Sequence, residues 1–412
     1  MAKRAAVLLC ATALACAPQL ASSFAPPAPL FSRSGVAVSG AGSATGRAQW
    51  RPYSLRLQQP TAGRVQARGQ AVAMSGEVGV ESGAGAAGQA QGGLREGSHV
   101  VDGLRAHYTV ADPPDANRVA GATPLIFIHG MGGSAAHFSK NLLPIAAACG
   151  APVYAVDLLG FGRSAKPLTV DYGESLWTWQ IKCLVDDVVK TDQVFVAGNS
   201  LGGYLAMVVA ATYPKQVAGL CVLNACAASG VINPSGLAIP VFRIPFVADF
   251  LAGQALDTAS TAKGVRSTLE EVYMDPSKVD DDLVKTLTFT GKRAGGLEVY
   301  KSLYKSYPGR SWEELLVSDE LGLGIYAGPL LAIWGQADKW MPPKSLDVLS
   351  ERQDFEVTLV TAGHCPHDEV PEMVNRKISA WMAEIIEEGR NTFEVARVPR
   401  YKTLPLLPKY IF

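Results

Sequence analysis

Val194-Phe195-Val196-Ala197-Gly198-Asn199-Ser200-Leu201-Gly202-Gly203 changes character halfway along. Its first four residues are an apolar run of strand type, and Tyr204 to Thr212 continues in Ala, Leu, Met and Val at the length of a helix. Between them lies a G-x-S-x-G pattern. A serine at the apex of so sharp a turn is held in a strained backbone geometry, and Gly198 and Gly202, lacking Cβ, let strand and helix close around it. The turn lifts Ser200 Oγ clear of the sheet and sets it at a helix N-terminus, where unpaired N–H groups face any negative charge that develops. Five-residue matches arise by chance in a chain with 41 glycines, so the reading as a nucleophile elbow rests on the flanking strand and helix and on partners elsewhere.

Outward from the elbow, Leu125 to Ile128, Val153 to Val156, Gly219 to Leu223, Leu330 to Trp334 and Glu356 to Val360 are further apolar runs of strand length, with helix-like segments between most of them. Continuous rather than alternating apolar runs mark strands covered on both faces, which predicts an α/β fold with a mainly parallel, doubly wound sheet. His99 to Ala111 reads as two strand-like pieces around Asp102-Gly103, a hairpin at the antiparallel edge. After Leu223 no strand of the sheet is expected until Leu330. The residues between, 227–325, are mostly helical in pattern, Asp282 to Thr288 among them, and an insertion here, after the sixth strand, is expected to cover the carboxyl edge of the sheet as a lid. Its apolar part includes Phe242, Ile244, Phe246, Val247, Phe250 and Leu251. The lid's own core has first claim on these side chains, because exposed apolar patches are costly; substrate contact by Phe242, Phe246 and Phe250 is the alternative.

The loops at that carboxyl edge carry the chemistry. The first core strand ends in His129-Gly130-Met131-Gly132-Gly133, where the amides of Met131 and Leu201 are candidates for an oxyanion hole. His129 reads as a structural residue of that loop. The second ends in Asp157 to Ser164, whose Gly-x-Gly lacks the spacing of a phosphate loop and reads as a turn capped by Asp157. Leu330 to Trp334 leads to Asp338, and Glu356 to Val360 leads to Gly363-His364. The chain order Ser200, Asp338, His364 is that of a serine nucleophile, an acid that orients the base, and the base. His367 is the rival base but is separated from the strand by Pro366, and Asn224, which ends the strand after the elbow, is neutral.

Composition narrows the function further. Hydrophobic residues make up 48% of 412, ample for a large core. The formal net charge of zero averages two unlike parts: the first 76 residues hold eight basic side chains and no acid, leaving 29 basic against 37 acidic residues beyond them. A net of −8 there gives no nucleic-acid partner any footing. Seven cysteines without C-x-x-C spacing argue for free thiols rather than a disulfide framework or a zinc site. Lys3-Arg4 followed by Ala5 to Ala17 has the form of a signal peptide and is short for a membrane span, an uncleaved anchor being the alternative. Residues 24–75, rich in Arg, Ala, Gly and Ser, have transit-peptide composition. The expected layout is a signal peptide over 1–23, a transit peptide over 24–75, a linker over 76–98, a catalytic domain over 99–388 and an extension over 389–412 with no assigned role.

From about His99 to Met382 the chain resembles the α/β-hydrolase superfamily. Within it, Gly198 to Tyr204, Gly363-His-Cys-Pro-His-Asp-Glu-Val-Pro-Glu372 and the lid segment Val272 to Asp281 are similar to plastid hydrolases of the pheophytinase and chlorophyll dephytylase group. The leader with its Phe24-Ala25-Pro26 junction looks like the bipartite plastid presequence of algae with complex, red-type plastids. The resemblance implies a serine hydrolase without a cofactor or metal that removes phytol from a chlorophyll-type pigment, using Ser200, Asp338 and His364. The implied partners are a small hydrophobic ester and, peripherally, the thylakoid membrane. The elbow lacks the Arg that follows serine in typical chlorophyllases, and Ser200 in place of Asp argues against haloalkane dehalogenase and epoxide hydrolase chemistry. A plastid lipase or general carboxylesterase, and a non-catalytic ligand-binding protein on the same scaffold, are the rival readings.

Overall fold

The computed structural model describes residues 93–168, 170–226, 261–291, 299, 311–317, 326–349, 352 and 355–389. Eight strands form one sheet: β1 (Leu94–Val101), β2 (Leu104–Ala111), β3 (Leu125–Ile128), β4 (Val153–Val156), β5 (Val194–Asn199), β6 (Val217–Leu223), β7 (Leu330–Gly335) and β8 (Phe355–Val360). They lie in the order β1-β2-β4-β3-β5-β6-β7-β8. The β1–β2 and β2–β4 pairs are antiparallel and all others are parallel. The elbow strand β5 therefore sits in mid-sheet between β3 and β6.

Alternation of side chains along the strands divides the core in two. Ile126, Ile128, Val194, Val196, Leu220, Val222, Ala332 and Trp334 face one layer. There they meet helix α2 (Glu174–Leu184), through Leu176, Trp177 and Ile181, and the elbow helix α3 (Leu201–Thr212). Leu125, Phe127, Phe195, Ala197, Cys221, Leu223, Leu331 and Ile333 face the other, packed on helix α1 (Leu142–Cys149) and the C-terminal helix α8 (Pro371–Glu387). Strands β3 to β7 are buried along their whole length, as their unbroken apolar runs predict. Strand β8 departs from that expectation: it is the sheet's edge, paired on one side only, and most of it is half-buried.

The hairpin around Asp102-Gly103 is present, but β1 starts at Leu94, five residues before the expected domain boundary at 99. Residues 94–98 carry Arg95, Glu96 and Ser98 with no apolar alternation to mark them, and are held instead by main-chain pairing with β2. Insertion follows β6, as expected. In it lie α4 (Ala262–Val272), α5 (Asp281–Gly291), which contains the expected 282–288 helix, and α6 (Trp312–Leu316), with a Ser311–Glu314 capping box. Phe242, Phe246 and Phe250, with Ile244, Val247 and Leu251, fall outside the described residues, as do the leader 1–75 and nearly all of the extension 389–412. The one short turn of helix between β8 and α8 is α7 (Pro366–Glu369). Among the described residues no helix is long and apolar enough to cross a membrane, and Cys149, Cys183, Cys221, Cys226 and Cys365 are all free thiols.

Two absent side chains let β5 and α3 close on each other. A Cβ on Gly198 would stand 2.2 Å from the Gly202 carbonyl oxygen, and one on Gly202 would stand 2.0 Å from that of Ile128. Both contacts are backbone, which has nowhere to move. Gly202→Ala is expected to destabilise the fold by about 3 kcal/mol or more, read as a lower urea midpoint or as loss of soluble protein.

Candidate active site

Ser200 is the residue between β5 and α3, with φ 54° and ψ −120°. A non-glycine residue with positive φ stores about 1–3 kcal/mol of strain. Main-chain bonds hold it there: Ser200 N–H donates to Leu223 O at 3.1 Å, and Ser200 O accepts from Tyr204 at 3.1 Å and Cys226 at 3.0 Å. Helix α3 begins at Leu201, so the serine abuts the helix N-terminus.

The loop after β3 arrives alongside. Gly130 is packed against the elbow, a Cβ there lying 3.1 Å from Ser200 Cβ, and Gly133 N–H closes the loop onto Gly130 O at 3.1 Å. His129 is fully enclosed. Its Nδ1–H donates to Gly130 O at 2.8 Å and its Nε2 accepts the Leu158 N–H at 3.1 Å. Burial pushes its pKa down to about 4. It is the neutral structural residue the sequence predicts. Asp157 likewise caps its turn, accepting from Ala135 N–H at 2.7 Å, Arg163 N–H at 2.8 Å and His107 Nδ1 at 3.0 Å.

Asp338 follows β7, and its carboxylate collects four donors. Oδ1 accepts the N–H groups of Trp340 at 2.8 Å and Met341 at 3.0 Å; Oδ2 accepts Asn224 Nδ2 at 2.7 Å and faces His364 Nδ1 at 2.7 Å. The last bond fixes the imidazole with Nδ1 as donor and leaves Nε2, buried and without a hydrogen-bond partner among the described residues, as the acceptor nitrogen. Trp340 also lies over the ring, centroids 5.4 Å apart. The main chain of His364 is tied on both sides: its N–H donates to Val272 O of the lid at 2.8 Å, and its carbonyl accepts Asn199 Nδ2 from the elbow at 2.8 Å. Asn199 thus joins the turn that carries Ser200 to the loop that carries His364.

The structure therefore brings Ser200, Asp338 and His364, with the Met131 loop and Leu201, to one edge of the sheet. His367 is drawn elsewhere. It packs on Phe138 and His137, ring centroids 4.8 and 4.5 Å away, and burial holds its pKa well below the ordinary range. Sequence reasoning missed Asn224 as a participant. Its neutral side chain cannot serve as the acid, yet it is clamped in a left-handed conformation (φ 44°), accepts the Gly335 N–H at 2.8 Å through Oδ1 and presents Nδ2 to Asp338. An asparagine directly after a core strand, opposite the loop of the acid, was the available signal. A buried serine hydroxyl and a histidine oriented by a carboxylate are parts from which a proton can be passed from a hydroxyl and back.

Residues 123–371 match the family model of the alpha/beta hydrolase fold. The chain belongs to that family of hydrolases. Over 348 residues it is 26% identical to the chloroplastic pheophytinase of Arabidopsis thaliana, covering 74% of this chain and 67% of that protein. It is 28% identical over 273 residues to a 2-hydroxy-6-oxononadienedioate/2-hydroxy-6-oxononatrienedioate hydrolase of Paraburkholderia xenovorans (strain LB400), covering 64% of this chain and 88% of that one. A solved bacterial membrane phospholipase A shares the fold with a TM-score of 0.55 at 22% identity, over 71% of this chain and 87% of that one.

Buried neutral histidines make the domain acid-sensitive. His129, His137 and His367 all sit below the ordinary histidine range because burial opposes their charged forms. As pH falls below about 6.5 the unfolded chain takes up protons that the native chain refuses, so native stability drops. His129 alone contributes a loss of about 2 kcal/mol by pH 5, before most carboxylates titrate. Calorimetry is expected to show the melting temperature falling between pH 7 and pH 5.

Proposed function

We propose that this hydrolase cleaves a carboxylic ester by a Ser200-His364-Asp338 acyl-enzyme mechanism, and that its substrate is the phytyl ester of pheophytin or chlorophyll. The observation that supports the mechanism is the 2.7 Å His364–Asp338 bond, which leaves Nε2 without a hydrogen-bond partner among the described residues, at the same sheet edge as Ser200 on its strained elbow. Ser200 Oγ attacks the ester carbonyl while His364 Nε2 takes its proton. The oxyanion is held by the Met131 and Leu201 amides, each worth about 3 kcal/mol of barrier. Collapse breaks the bond to the alcohol oxygen, and His364 returns the proton to the departing phytol. A water deprotonated by the same nitrogen then attacks the acyl carbonyl, releasing the pigment acid and regenerating Ser200. Asp338 holds the tautomer and stabilises the imidazolium, and its three other donors keep that carboxylate in place.

The assignment of the substrate is supported by the likeness of the elbow, the Gly363 to Glu372 motif and the Val272 to Asp281 segment to pheophytinase-type hydrolases, and by the chloroplastic relative. Plastid residence is supported by the same relative and by the leader, whose basic, acid-free composition continues to Gly76. Peripheral contact with the thylakoid membrane belongs to this reading, since that is where such pigments reside.

Ser200→Ala and His364→Ala are each expected to lower turnover by about 10⁴-fold or more. A fully active His364→Ala variant would reassign the base. Incubation with pheophytin, chlorophyll and a galactolipid, followed by chromatography of the products, is expected to release phytol; turnover of the galactolipid alone would make the protein a lipase. A fluorophosphonate probe is expected to label Ser200, which an inert binding protein on this scaffold would not allow. Residues 1–76 fused to a fluorescent reporter are expected to direct it to the plastid, and a cytosolic reporter would remove that assignment.

A further inference from the structure

Glu369 takes no part in the proton transfers described above, yet its side chain is buried against the loop that carries the base. Its residue is 2% exposed, and among the described residues no cation pairs with its carboxylate. Backbone N–H groups satisfy it instead: Gly363 at 2.9 Å to Oε1 and 3.0 Å to Oε2, Cys365 at 3.3 Å to Oε1, and Met274 at 2.7 Å to Oε2. Gly363 and Cys365 are the two residues flanking His364, whereas Met274 belongs to the lid. The Glu369 carbonyl accepts a further lid donor, Lys278 Nζ, at 2.7 Å. Lid and loop are in direct backbone contact here, for a Cβ on Gly363 would stand 2.2 Å from Val272 O and 2.6 Å from Met274 N.

A buried carboxylate with no counter-cation is costly unless donors surround it. Here the donors come from two bodies that sequence separates widely, and they converge on one side chain. Without it, the N–H groups of Gly363, Cys365 and Met274 lose an acceptor, and the main chain of His364 keeps only its own bonds to Val272 and Asn199.

We propose that Glu369 is a positioning residue for His364: by gathering the amides on either side of that histidine together with an amide of the lid, it makes seating of the lid segment Val272 to Lys278 a condition for correct aim of the base. The inference rests on the reading of His364 as the base of Ser200. Aim matters steeply, since a displacement of about 1 Å at a reacting group costs on the order of 100-fold in rate.

The test compares the full chain with Glu369→Gln, Lys278→Met and His364→Ala, using p-nitrophenyl butyrate as substrate. The Gln side chain keeps the volume but turns an NH₂ towards the amides. It is expected to lower kcat about 30-fold while KM changes less than threefold. The far-downfield proton signal of the His364–Asp338 hydrogen bond is expected to broaden or vanish in a variant whose far-ultraviolet dichroism is unchanged. Wild-type kcat with the signal intact would overturn the proposal. Should Glu369→Gln not accumulate as folded protein, Lys278→Met decides: it removes only the bond to the Glu369 carbonyl, and about a threefold loss of kcat without a matching change in melting temperature supports the coupling, whereas unchanged kcat overturns it. His364→Ala separates the two failures. If it is active, the base lies elsewhere and both readings fall; if it is inactive while Glu369→Gln equals wild type, only the positioning role falls.

Discussion

Steric contact between bare backbones at the elbow sets the rest of the structure. Helix α3 passes so near β5 and the end of β3 that carbonyl oxygens occupy the space where two Cβ atoms would stand. That closeness forces the residue between them into positive φ and aims a hydroxyl out of the sheet's carboxyl edge. The strain is carried by a core with two filled layers and by three main-chain hydrogen bonds on Ser200 itself. A sheet less thoroughly buried would relax the turn and let Ser200 leave its strained geometry.

The opposite half of the site is built from polar contacts rather than sterics. Asp338 is surrounded by donors from its own turn, from Asn224 on the neighbouring strand end and from His364. His364 is tethered to the elbow through Asn199 and to the lid through Val272. Each tether uses up a main-chain group that would otherwise be buried unpaired, so the network that orders the imidazole also satisfies the backbone. Among the described residues the buried Nε2 of that ring is left without a partner, and it is the nitrogen to which the proposed mechanism assigns the proton transfers.

Most of this was legible in the sequence where a local rule had one outcome. The unbroken runs of β3, β4, β5, β6 and β7 appear as strands within a residue or two of their expected ends, because only a sheet covered on both faces hides such runs. The elbow and the loops bearing Asp338 and His364 were legible because glycine punctuation and strand ends place them at one edge. What escaped was settled by pairing rather than pattern. Residues 94–98 are strand through hydrogen bonds to β2 and have no apolar alternation to announce it. Strand β8 is the exception, for Glu356 and Thr358 interrupt its Phe, Val and Leu and already mark a half-buried edge. Asn224 and Glu369 act through geometry between segments far apart in the chain, which no window of neighbouring residues contains.

That distance has a temporal side. The hydrogen bond from Asn199 to His364 spans 165 residues, and the strand that delivers the histidine is, among the described residues, the last one made and the outermost at its edge. Chains grow from the N-terminus, and contacts of such long sequence separation form late. In the proposed mechanism the growing chain therefore carries the Ser200 hydroxyl long before His364 is in place to deprotonate it. On that mechanism reactivity arrives all at once, with the strand that brings His364, and a chain interrupted short of β8 would be chemically silent however well its elbow is formed.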